Sequence, residues 1–270
     1  MAGQVAHYSA SDIEERILAA IRTAGLDPDQ RLSPMELGAL DHFHTGGFRA
    51  SLVLKELAQV RAEDRVLDIG AGLAGPARML AASPGCYVDC IELSPDYCVA
   101  ATLLNRITGL EDRVHVHEGS ALDMPFVDGA FDVAWMQNVG MNIADKRRLY
   151  REIHRVLKPN GRFAFQEMIA GKGVASYFPL PWATHPADNL LVSSEAMRAL
   201  LADSGFIADY FEDVSDAPLP PPATGTPESV PQAPLSLSAY VDNLAQKAEN
   251  ATRSVREGQI RLFRGVFRAN

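Results

Sequence analysis

No stretch of this 270-residue sequence approaches the roughly 20 consecutive apolar residues that a membrane span needs. The first residues also lack a basic segment followed by an apolar run, so a cytoplasmic protein is expected. Cysteine is scarce: Cys86, Cys90 and Cys98 are odd in number, without CxxC spacing, and read as buried thiols rather than a disulfide framework. Positive charge is short as well, with 25 Lys+Arg against 34 Asp+Glu and a formal net charge of −9. With no Lys/Arg run anywhere, this balance repels a polyphosphate, and nucleic acid is not an expected partner. Metal ligands are not clustered either. His115 and His117 share one face of a strand but have no carboxylate or cysteine at ligand spacing, so no metal is expected.

What the chain does have is 47% hydrophobic and 22% charged residues, ordinary for a globular protein with a sizeable core. Ile13, Ile17, Leu18 and Ile21 mark a first helix, capped by Ser9-Ala10-Ser11-Asp12, and a polar bend follows at Asp27 to Pro34. A second helix is expected from Gly47 to Val60. The period then changes, with short apolar runs at Arg65 to Ile69, Tyr87 to Ile91, Val114 to His117 and Phe131 to Trp135. Helical segments at Gly75 to Ala82, Pro95 to Thr108 and Ala144 to Leu157 lie between and after them. This alternation predicts an α/β parallel sheet.

After the turn Lys158-Pro159-Asn160-Gly161 come a strand at Arg162 to Met168 and an irregular aromatic segment at Gly171 to Asn189. A helix from Ser193 to about Ser204 and a strand at Phe206 to Val214 follow. Seven of the 17 prolines fall between Asp216 and Leu235, a composition suited to a surface connection. A helix at Ser236 to Asn250 and a strand at Gln259 to Phe267 close the sequence.

Chemistry concentrates in Val66-Leu67-Asp68-Ile69-Gly70-Ala71-Gly72-Leu73-Ala74-Gly75, a strand running into a glycine-rich turn and a helix. Small residues there let a cofactor lie against backbone at a helix N-terminus. Gly70, Gly72 and Gly75 satisfy G-x-G-x-x-G, and Glu92 stands 22 residues after Gly70, near the ribose-binding distance of a dinucleotide fingerprint. Asp68 argues against a dinucleotide, because a carboxylate at the strand end would repel a pyrophosphate over the turn. A cationic ligand fits it better.

With these residues in place, the sequence resembles the class I S-adenosylmethionine-dependent methyltransferases over about residues 41 to 215. VLDIGAGLAGPARML (66–80) is similar to the family's first motif, and CIELSP (90–95) to the second. GSALDMPFVDGAFDVAW (119–135) is similar to the adenine-binding turn and fourth strand, and RVLKPNGRFAF (155–165) to the turn into the fifth. The resemblance implies that Asp68, Gly70, Ala71, Gly72 and Gly75 surround the methionine moiety and Glu92 with Leu93 the ribose. It places Ser120, Ala121 and Leu122 at the adenine, and Gln137, at the carboxyl end of the fourth strand where open α/β sheets bind ligands, is expected with Asn138 to contact cofactor or substrate. Position 120 is often Asp in the family, so Ser120 offers a weaker acceptor and Asp123 is an alternative.

DHFHTGG (41–47), 135–161 and 178–206 resemble small-molecule methyltransferases, namely the glycine, sarcosine and dimethylglycine N-methyltransferases and the ubiquinone/menaquinone C-methyltransferases. No Asn-Pro-Pro-Tyr follows the fourth strand, where Gln137-Asn138 stand instead. His44 is a candidate base or substrate contact, with packing at the start of the next helix as the other reading, and His185 is a second candidate. His154 is expected to face solvent. Asn138, Asn142, Tyr177 and Trp182 are candidate acceptor contacts; the aromatic rings either wall the acceptor, with Phe178, or pack a cap onto the sheet.

The implied fold is a Rossmann-like seven-stranded α/β sheet with its last strand antiparallel and helices on both faces. Residues 1–60 form an N-terminal helical lid and residues 61–270 the core, with cap insertions at about 171–189 and 216–250. The implied function is transfer of a methyl group from S-adenosyl-L-methionine to a small acceptor at N or O, with C-methylation of a quinone, terpenoid or polyketide-like product as the alternative. An NAD-dependent oxidoreductase and a non-catalytic cofactor-binding protein are the readings from other classes. A homodimer is left open.

Overall fold

In a computed structural model, which describes residues 12–173, 177–217 and 235–270, the apolar runs become strands of one seven-stranded sheet ordered β3-β2-β1-β4-β5-β7-β6. β1 (Arg65–Ile69), β2 (Tyr87–Glu92), β3 (Val114–Glu118), β4 (Phe131–Gln137) and β5 (Leu157–Ala170) pair parallel to one another. β7 (Ile260–Ala269) is antiparallel, as expected, and lies between β5 and β6 (Phe206–Asp213). The cap Ser9-Ala10-Ser11 and the prolines at 218–234 lie outside the described residues.

Alternate residues of the strands feed two cores, because successive side chains point to opposite faces. Leu67, Ala134, Met136, Phe163 and Phe165 pack with Leu149, Tyr150, Ile153 and Val156 of α6 (Lys146–Val156) and Met197 and Leu201 of α7 (Ser194–Asp203). Val66, Val88, Val133, Trp135 and Ala164 pack the opposite face with α3 (Gly47–Ala58), α4 (Gly75–Ala82) and α5 (Pro95–Thr108). Among the described residues no helix is long and apolar enough to cross a membrane.

Four expectations change. The bend at Asp27 to Pro34 leads into a helix, α2 (Pro34–Asp41), whose N-terminus is a capping box between Ser33 and Glu36 with proline in the first turn. β5 begins at Leu157, and the expected turn becomes an irregularity within it. Phe131 pairs with Leu157 but Val133 with Arg162, and Asn160 has φ +61°. The late helix α8 runs Leu244–Arg256, starting eight residues later than expected, since Asn243 in the left-handed region separates it from a short turn at Leu237–Ala239. His154 does not face solvent: its ring packs edge-on against Phe206 and its Nε2 is buried.

α1 (Ile13–Thr23) buries Ile13, Ile17 and Ile21 in a third cluster with Leu37 and Leu40 of α2, Leu104 of α5 and Tyr240. Beneath α2 lies a buried polar knot. The Arg78 guanidinium, fully buried, donates to Asp41 Oδ2 (2.7 Å), Asn105 Oδ1 (2.9 Å) and the Leu73 carbonyl (2.5 Å), while His42 Nδ1 lies 2.6 Å from Asp41 Oδ1. Burial alone would raise the Asp41 carboxyl, yet His42 and Arg78 hold it below its usual range. Removing the cation leaves a buried carboxylate unpaired. Arg78→Ala is therefore expected to lower stability by about 3–5 kcal/mol, read as a lower urea midpoint with an unchanged slope.

Candidate functional site

A cavity of about 710 Å³ opens at the carboxyl ends of β1, β2 and β4, where parallel α/β sheets present their loops for ligands. Asp68, the penultimate residue of β1, lines it with 3% of its surface exposed, and its Oδ2 has no hydrogen-bond partner. Burial, reinforced by the nearby Glu92 charge, pushes the Asp68 carboxyl up to about 8. At neutral pH the carboxyl therefore keeps its proton, and a cation bound beside it would favour the charged form.

The chain turns away from β1 through Gly70 and Gly72, at φ +64° and +56°. A Cβ at Gly70 would sit 2.6 Å from a Val139 methyl, whereas one at Gly72 would meet nothing within 4 Å, so Gly72 leaves its backbone open to a ligand. Glu92 ends β2 and also lines the cavity. Its Oε2 accepts from Gly72 N and its Oε1 from Ser94 N, both at 2.9 Å, which fixes the carboxylate while leaving lone pairs for ligand hydroxyls. Burial raises the Glu92 carboxyl too. Leu93, Ser120, Ala121 and Leu122 complete this side of the wall, Ser120 Oγ accepting from Leu122 N at 3.1 Å.

Gly75 stands off the wall. Its missing Cβ makes room for α2 instead, because one there would fall within 2.6 Å of Asp41 Oδ1 and His42 Nδ1.

On the other side, His44, Gln137, Asn138, Asn142 and Trp182 all line the cavity. Ser51 Oγ donates to Gln137 Oε1 (2.9 Å), which also accepts from Trp135 Nε1 (2.9 Å). With its one hydrogen so placed, Ser51 accepts from His44 Nε2 (3.1 Å), and His44 Nδ1 faces Gln137 Nε2 at 3.4 Å. Burial, then the neighbouring His42, pushes His44 down to about 3. His44 is therefore an uncharged hydrogen-bonding group, too weak a base to hold a proton from an alcohol.

Tyr177 and His185 stand elsewhere. The Tyr177 hydroxyl donates to Glu257 Oε2 at 2.8 Å, with Arg253 stacked 3.8 Å over its ring; His185 is exposed at a short turn where its N–H donates to Asp188.

Sequence reasoning missed the brace behind the loop after β4. Buried Glu167 accepts from Val139 N (2.9 Å) and Gly140 N (3.0 Å) and is pushed up to about 7, mainly by burial. Lys146 Nζ donates to the carbonyls of Gly140, Ile143 and Leu190 at 2.7–2.8 Å. The missed α2 had a legible signal in Ser33-Pro34-Met35-Glu36. Among the described residues no group of three or more His, Cys, Asp or Glu is placed to hold a metal.

The raised Asp68 carboxyl has a stability consequence. Between its unfolded value of 3.8 and about 8 the folded protein keeps a proton that the unfolded chain releases, so this contribution falls as pH rises through that window. Ligand-free Asp68→Asn is expected to be more stable than the parent at pH 8, the gap closing toward pH 4, by thermal melts across that range.

The family model described as "Methyltransferase domain" matches residues 67–165. The glycine/sarcosine/dimethylglycine N-methyltransferase of Actinopolyspora halophila is 42% identical over 108 residues, 40% of this chain and 19% of that protein. The sarcosine/dimethylglycine N-methyltransferase of Halorhodospira halochloris is 30% identical over 155 residues, 57% of this chain and 56% of that protein. The chain thus spans between a fifth and somewhat over half of the length of these curated relatives. Among solved structures, the geranyl diphosphate C-methyltransferase of Streptomyces coelicolor A3(2) superposes with a TM-score of 0.66 at 18% identity, covering 97% of this chain and 99% of that one. That likeness is one of fold.

Proposed function

We propose that this chain, which carries a methyltransferase domain at residues 67–165, transfers a methyl group from S-adenosyl-L-methionine to a small organic acceptor and releases S-adenosyl-L-homocysteine. The observation that carries the proposal is Asp68, a buried carboxylate on the cavity wall with an unpartnered oxygen. The cofactor's α-ammonium is the cation that such a group lacks, and Glu92 is fixed to accept from ribose hydroxyls. Ser120, Ala121 and Leu122 would flank the adenine. A dinucleotide would bring pyrophosphate against the same carboxylate, which disfavours an oxidoreductase.

When bound, the cofactor supplies a methyl group on an already activated sulfonium. The chain's task is then to align the acceptor and exclude water. His44 at about 3 cannot serve as the base that an alcohol or phenol requires, whereas an amine arriving unprotonated requires none. This supports N-methylation over O-methylation, in keeping with the names of the two sarcosine/dimethylglycine N-methyltransferases.

Calorimetric titration with S-adenosylhomocysteine tests the cofactor reading, and NAD binding in its place would overturn it. Glu92→Gln is expected to weaken binding by about 10–100-fold, the worth of a charged hydrogen bond. Because a cation lowers the Asp68 carboxyl from about 8, binding at pH 7 should release about one proton, and affinity should rise roughly tenfold per pH unit from 6 toward 8. Incubation with methyl-labelled cofactor and a cell metabolite extract, read by mass detection, should label one product class; no enzyme-dependent label would favour a non-catalytic binding protein.

A further inference from the structure

We propose that the acceptor is a mainly apolar molecule that presents an N–H or O–H group and carries no carboxylate or phosphate. This rests on the methyltransferase reading and narrows it. Beyond the glycine turn the cavity wall is built by Met141, Met168, Trp182, Leu190, Leu244 and Ala251. Such a wall favours an apolar body, and its two thioethers adapt to an irregular outline. In the same wall stands Asn138 Oδ1, buried and without a hydrogen-bond partner. A buried amide oxygen calls for a donor, which an amine or hydroxyl on the acceptor would supply.

An anionic acceptor would need a cation to replace its hydration. Among the described residues lining the cavity there is no lysine or arginine. Several basic side chains lie nearby, and Arg264, close enough to help lower His44, donates its Nε to Gln166 Oε1 at 2.8 Å. Lys146 directs its ammonium to the three backbone carbonyls of the brace, and the Arg78 guanidinium is held by Asp41, Asn105 and Leu73. His44 is uncharged at neutral pH. Glu92 and Asp145, both on the wall, add negative charge that opposes a further anion, whereas Asp41 is paired with Arg78 and Asp68 keeps its proton at neutral pH. Segments 174–176 and 218–234 contain no lysine or arginine in their sequence. Lys247 stands on α8 between Leu244 and Ala251 without lining the cavity, which makes it the natural control.

The relatives named for sarcosine and dimethylglycine act on amino acids that bear a carboxylate, so the inference separates this site from theirs. The test uses the full chain saturated with S-adenosylhomocysteine, whose binding is measured first; failure at that step overturns the methyltransferase reading and not the acceptor class. Geraniol, geranylamine, geranyl diphosphate and dimethylglycine are then titrated separately, with thermal shift as the readout. Geraniol and geranylamine at about 100 times Kd should raise Tm by roughly 5 °C or more, and Asn138→Ala should weaken both by about tenfold or more. Dimethylglycine and geranyl diphosphate should give no saturable shift. Saturable binding of either anion, whether or not Lys247→Ala removes it, would overturn the proposal. So would the failure of both apolar probes, or their unchanged affinity for the Asn138→Ala variant while its cofactor binding is intact.

Discussion

The cavity depends on one buried guanidinium. Arg78 projects from α4, just past the glycine turn, and reaches the carboxylate of Asp41 at the end of α2, the Leu73 carbonyl within the turn and Asn105 on α5. A single side chain thus ties the first helices of the chain to the segment on which a cofactor would lie. Gly75 follows from that contact, because α2 occupies the space a side chain there would need. The residues after Asp41, namely Phe43, His44 and Thr45, are delivered to the cavity wall as a result. The glycine of the motif's last position therefore acts on the arrangement of the upper wall rather than by touching a ligand.

In that knot Arg78 balances the charge of Asp41, whereas Asp68 and Glu92 are left without a counter-cation among the described residues. Both are buried, both carboxyls are raised, and Asp68 has an oxygen with no partner. A fold optimised only for stability would replace or pair such groups. Their persistence at the mouth of a parallel sheet marks the place where local rules give way to binding. The contrast is instructive because Arg78 stands near enough to lower Asp68 somewhat but is held by Asp41. The cation that would neutralise Asp68 is left for a ligand to bring.

Much of the sheet was legible because period and punctuation agree: β1 runs Arg65–Ile69 as read, ended by glycines that require positive φ. The gathering of Asp68, Gly70, Gly72 and Glu92 at one cavity was legible for the same reason, since they sit at fixed offsets from strand ends. α2 escaped because Asp27 to Pro34 reads as a polar bend, although Pro34 stands in a first turn where no amide hydrogen bond is lost. Glu167 and Lys146 escaped because their partners are backbone groups of a loop, which no pattern of side chains announces. Tyr177 was misplaced because an aromatic residue near a cap serves equally well as a cover for an exposed ion pair.

The two halves of the cavity differ in how far likeness to other proteins reaches. The matched domain, residues 67–165, contains the glycine turn, Glu92 and the 120–122 turn, and so supplies the wall where a cofactor would bind. Of the wall where an acceptor would sit, Met168, Trp182, Leu190, Leu244 and Ala251 lie beyond it, and Met141 lies within. Similarity within the domain therefore bears on the donor of the methyl group and says little of its recipient. Acceptor choice has to be argued from the side chains of that second wall, which are apolar, and from the unpartnered Asn138 oxygen that faces the same cavity from within the matched domain. With an acidic wall on one side and no lysine or arginine among the described lining residues, such a cavity would select by shape, by hydrogen bonding and by the rejection of anions.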